Sequence, residues 1–102
     1  MSHTIEVMQI RERRGFILGV LRYHSAPMSD KLLESALQAA KFDVSLASIH
    51  AELEYLEEKG CVAVHRPKLG LPIDVVSVRL LAHGKDIAMG ISTDPGISMG
   101  EH

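Results

Sequence analysis

Tryptophan is absent from the 102-residue chain, and the aromatic complement is limited to two tyrosines and two phenylalanines. A core built from this sequence must be aliphatic, drawn from the 46% of residues that are apolar. Cysteine occurs once, as Cys61, which excludes an internal disulfide and fits a reducing cytoplasm. Positive charge is not in excess. The formal net charge is −2, whereas small DNA-binding domains are distinctly basic, so affinity for nucleic acid has to come from local clusters. No apolar run approaches the roughly 20 residues of a membrane span. The amino-terminal segment alternates charged and apolar residues, without the apolar stretch of a signal peptide. A phosphate-cradling glycine loop, a nucleophile elbow, a paired-histidine metalloprotease motif and a C-x-x-C pair are all missing. The expectation is one non-enzymatic domain with no cofactor and no metal.

What is present is helical periodicity with clear punctuation. Thr4 to about Tyr23 carries Ile10, Ile17, Val20 and Leu21 on one stripe, extended by Ile5 and Met8. Gly15 interrupts it as a site of close crossing or of a bend. Arg11, Arg13 and Arg14 read as a solvated face. Pro27 breaks the helix, and Ser29 caps the next one, with Asp30 in its first turn and Leu32, Leu33, Ala36, Leu37 and Ala40 on its apolar face. After the short connection Lys41 to Val44, Ser45 caps a third helix that ends at Gly60. Leu46, Ile49, Leu53 and Leu56 form its stripe, and Ser48, Ala51, Tyr55 and Glu58 are assigned to the opposite face.

The period then becomes alternating. Val62 and Val64 lie on one face of a strand, and Val76, Val78 and Leu80 on one face of another, bracketing a loop from Pro67 to Pro72. A short helix follows from Leu81 to about Gly90. The order helix, helix, helix, hairpin, helix predicts a mainly α chain with a small β-hairpin: a winged helix-turn-helix, with a three-helix core, a two-stranded wing and a C-terminal helix. Its bounds are residues 1–91, and residues 92–102 read as a flexible tail.

In this architecture the third helix is the one offered to a DNA major groove. Ser45, Ala47, Ser48, Ala51 and Tyr55 are the candidate groove residues; Lys31, Arg66 and Lys68 are the candidate phosphate contacts. Free N–H groups at the start of the second helix, around Ser29 and Lys31, add an expected phosphate site. Four glutamates, Glu52, Glu54, Glu57 and Glu58, oppose a single lysine between Ser45 and Lys59, a net charge of −3 that phosphates would repel. Because recognition helices enter by their amino-terminal turns, Ser45, Ala47 and Ser48 retain access to DNA. Cys61 reads as a small buried apolar residue. Cys61 and His65 share a strand face about 13 Å apart, too far to chelate one ion, and His50 reads as a boundary residue.

The segment Ser45-x3-Ile49-His50-Ala51-Glu52-Leu53-Glu54-Tyr55-Leu56-x3-Gly60-Cys61-Val62 resembles the helix-to-strand region of small winged-helix proteins of Mu-like transposable phages and prophages. Gly84 to Gly90, followed by Asp94-Pro95-Gly96-Ile97, is similar to the C-terminal signature of that group and is the more specific of the two matches. The resemblance implies an ArsR-like DNA-binding transcriptional regulator in a bacterial cytoplasm. Leu46-Ala47 in place of a charged pair, and an ending without basic residues or proline, depart from the group's pattern and remove phosphate contacts. The partners expected are double-stranded DNA and a second copy, paired through the first and last helices with Ile87, Ala88 and Ile91. The alternative is a protein-interaction module that binds a phage or host protein and no DNA. A membrane partner is not expected.

Overall fold

The computed structural model describes residues 2–24, 26–67 and 76–100. Among these, helices α1 (Ser2–Tyr23), α2 (Asp30–Ala39), α3 (Leu46–Glu58) and α4 (Ala82–Ala88) surround a small antiparallel sheet. The strands are β1 (Met28–Ser29), β2 (Val62–His65) and β3 (Ser77–Leu80), in spatial order β1-β3-β2. Val62 opposes Leu80 and Val64 opposes Val78, so the alternating valines share one face, as their spacing predicts. The loop from Pro67 to Pro72 lies outside the described residues beyond Pro67.

The helix ends follow local chemistry. Ser29 Oγ accepts from Leu32 N at 3.1 Å, and Ser45 Oγ from Ser48 N at 3.2 Å, satisfying N–H groups that the helices cannot. Gly60, at φ +76°, turns the chain out of α3, while Cys61 N reaches back to Leu56 O at 2.8 Å. Between α2 and α3, Lys41 takes the corresponding left-handed conformation at φ 72°.

The core draws on every helix. Ile17, Leu18 and Leu21 of α1 meet Leu33 and Leu37 of α2, and Ile49, Leu53 and Leu56 of α3. Val62, Val78 and Ile87 close it from the sheet and α4. Burying these branched aliphatic side chains is the main drive to fold, at about 2 kcal/mol each. Two expected apolar extensions fall outside: Ile5 and Met8 remain 56% and 52% exposed, because among the described residues no other element covers the amino end of α1.

Two features depart from the sequence expectation. Met28 and Ser29 form a third strand, paired with Val78 and Ser77 of β3. This strand has no periodic signal of its own; it exists because β3 offers an unpaired edge. The segment expected as a free tail is also packed, as far as Gly100. Ile97 is 6% exposed, Met99 rests on the core, and Ser98 N donates to Arg11 O at 3.0 Å. Residues 101–102 lie outside the described residues.

Candidate nucleic-acid interface

Helix α3 presents one face to solvent, formed by Ala47, His50, Ala51, Glu54 and Glu58. Ile49, Glu52, Leu53 and Leu56 point inward. Of the groove candidates, Ala47 and Ala51 lie on the exposed face, and Ser45 sits exposed at its amino end. Ser48 does not belong to it. Its hydroxyl accepts from Ser45 N at 2.9 Å and donates to Ser45 O at 2.9 Å, completing a reciprocal cap. Both serine side chains are thereby engaged in starting the helix.

Tyr55 is likewise turned away from the groove face. Its hydroxyl donates to Asp94 Oδ1 at 2.5 Å, and the Arg14 guanidinium lies 3.6 Å above its ring. Asp94 Oδ1 also accepts from Gly96 N at 2.8 Å, and Arg14 Nη1 donates to Gly96 O at 3.1 Å. Burial, reinforced by the bond to Asp94, raises the Tyr55 pKa. Burial alone would also raise that of Asp94, but the Tyr55 hydroxyl, the Gly96 N–H and the Lys59 and Arg14 charges outweigh it and hold the carboxyl below its usual value. The residue assigned to DNA therefore clasps the C-terminal segment.

Two of the four α3 glutamates are answered from outside the helix. Glu52 is buried, with Oε2 accepting from Arg13 Nη2 at 2.6 Å and Oε1 from Arg14 Nε at 3.0 Å. Arg13 and Arg14, expected on a solvated face, are its counter-charges. Glu57 accepts a forked pair of bonds from Arg66, at 3.1 and 3.0 Å, which lowers the Glu57 pKa and raises that of Arg66. Glu54 and Glu58 remain, against Lys59. Arg66 is thus engaged within the protein rather than held ready for phosphate; the pair is half-exposed and worth at most about 1 kcal/mol. Lys68 lies outside the described residues.

At the start of α2 the Lys31 side chain is exposed, but the expected phosphate-binding N–H groups are occupied. Lys31 N donates to Asp30 Oδ1 at 2.8 Å, and Leu32 N to the Ser29 cap. Buried Asp30 also accepts from His50 Nε2 through Oδ2 at 2.7 Å, tying α2 to the exposed face of α3. His50 and Glu54, together with Leu53, Val64, Arg66 and Val76, line a cleft of about 340 Å³ between α3 and the sheet. Sequence reasoning missed His50 and Glu54 as groove-face residues, although both fall three or four positions from Ala47 or Ala51.

Cys61 is fully buried, and burial raises its thiol pKa, which suppresses the thiolate a nucleophile needs. Among the described residues, no group of three or more metal-ligating side chains is assembled. No helix among them is long and apolar enough to cross a membrane.

Comparison with known proteins finds no matching family model, no matching curated protein and no matching solved structure.

Proposed function

We propose that the chain is a small winged-helix protein that binds duplex DNA as a transcriptional regulator. On the resemblance of its α3 and C-terminal motifs, it belongs with those of Mu-like phages and works in the bacterial cytoplasm. The observation that carries this reading is the pairing of two of the four α3 glutamates with arginines from outside the helix. Glu52 and Glu57 are paired with arginines of α1 and of the residue following β2. The remaining exposed face begins with Ser45, Ala47, His50 and Ala51, which present no carboxylate to a phosphate. Lys31 stands at the start of the preceding helix, where a helix-turn-helix meets the DNA backbone. The alternative, a module for protein contacts alone, draws support from the exposed apolar residues Ile5, Val7 and Met8.

Binding to nonspecific duplex DNA over a salt series tests the proposal. Wild type is expected to bind at low salt and to weaken steeply as salt rises, because each phosphate contact releases a counterion. Lys31→Glu is expected to reduce affinity for all sequences alike and to flatten the salt slope by about one or more contacts. Absence of binding by wild type at low salt overturns the regulator reading and leaves the protein-contact module.

A further inference from the structure

We infer that α3 reads cytosine in the major groove through Glu54, an inference that rests on the DNA-binding reading. Glu54 lies on the exposed face between Ala51 and Glu58, one turn beyond His50, and accepts no hydrogen bond within the described residues. Arg66, which lines the same cleft, has its guanidinium forked onto Glu57 and makes no hydrogen bond to Glu54, although the Glu54 charge helps to raise the Arg66 pKa.

The small side chains of Ala47 and Ala51 let the helix axis approach the groove floor closely, carrying the Glu54 carboxylate past the phosphate rows towards the base edges. A carboxylate can only accept. Major-groove donors are the exocyclic amines of cytosine and adenine; guanine offers two acceptors, and thymine an acceptor and a methyl group. Adenine places its N7 acceptor beside its amine, opposing the second carboxylate oxygen, whereas cytosine presents its amine without that neighbour. Cytosine is therefore the complement of this position.

His50, one turn before Glu54 on the same face, is held by Asp30, whose Oδ2 lies 2.7 Å from its Nε2. Besides His50, the exposed face of α3 carries the methyl groups of Ala47 and Ala51 and the carboxylates of Glu54 and Glu58, with no arginine, lysine or amide among these residues. The alanine methyl groups complement thymine methyls at the flanking positions.

Selection from a randomised duplex DNA pool at fixed low salt, with wild type, Glu54→Ala and Glu54→Gln, tests the assignment. Wild type is expected to enrich cytosine at one position of each half-site, with about a tenfold preference confirmed by competition. Glu54→Gln, which can both donate and accept, is expected to move that position to adenine. Glu54→Ala is expected to lose the preference there and keep the others. Thermal melting of the variants should match wild type, since the side chain is exposed. Cytosine enriched equally by wild type and Glu54→Ala, or salt-sensitive binding with no cytosine preference, overturns the assignment while leaving DNA binding intact. No binding at low salt overturns both.

Discussion

Gly15 and Gly19 stand one helical turn apart on α1, yet a methyl group at each would meet opposite surroundings. A Cβ on Gly15 would collide with the Ser98 carbonyl, whereas at Gly19 nothing lies within 4 Å. Gly15→Ala is expected to lose about 1–3 kcal/mol, the range for overpacking a close contact, because Ser98 must move off α1. Gly19→Ala is expected to gain roughly 1 kcal/mol from helix propensity, raising the melting temperature by about 4–8 °C. Thermal denaturation followed by circular dichroism compares the two, and shifts of the same sign would contradict the docking of Ser98 on α1. The sequence marks Gly15 as anomalous within a helix, but the group that needs its missing side chain lies 83 positions along the chain. Glu52 presents the reverse case. It sits three residues after Ile49 and four before Leu56, inside the apolar stripe, although the sequence grouped it with the acids that repel phosphate; the structure buries it. Its partners Arg13 and Arg14 were not legible from spacing, since they are 39 and 38 residues away and belong to another helix.

At the scale of elements, local signals were read well and contacts between elements poorly. Ser29, Ser45 and Gly60 act within one turn of themselves, so their capping roles were visible in the chain. The solvent-facing side of α3 was assigned about one residue out of phase, through Ser48 and Tyr55, because the segment around Asp94-Pro95-Gly96-Ile97 covers that side. No helical wheel of α3 contains that information. The cover has a pH signature. Asp94, with its pKa lowered in the folded state, contributes stability that is present above the ordinary aspartate range and is lost as pH falls through the lowered value. Tyr55, with its pKa raised, contributes stability that is complete below the ordinary tyrosine range and is lost as pH rises through the raised value. Tyr55→Phe is expected to lower stability by about 1.5–3 kcal/mol at neutral pH, as for a hydrogen bond to a charged partner. It should also abolish the tyrosine-dependent part of the alkaline loss. Denaturant unfolding of wild type and variant across the pH range measures both effects; superimposable profiles would mean that the Tyr55–Asp94 bond does not hold the segment.

On the scale of the whole molecule, the amino end of α1 is the unresolved energetic problem. Every residue from Thr4 to Gln9 is exposed, so these turns have no packing partner among the described residues. Short helices in water gain most of their stability from such packing. The expected pairing of two copies through the first and last helices also needs revision. α1 and α4 pack against each other within one chain, with Ile87 2% exposed and Ala88 packed on the core, so these two residues supply no free surface. The pairing surface we propose instead is Ile5 and Met8 on one side of α1, with Ile91, 67% exposed, beyond α4. A two-fold pair through that surface would present two copies of α3 to half-sites related by the same symmetry. Light scattering over a micromolar concentration range is expected to give wild type twice the mass of one chain. Ile5→Lys combined with Met8→Lys should return it to a single chain, because the ammonium groups, two from each copy, would be buried at the contact without partners. The same variant separates pairing from recognition: its affinity for a two-half-site duplex should fall far more than its affinity for a single half-site, since only the linked contact is lost. A wild-type mass of one chain throughout the range would rule out this pairing.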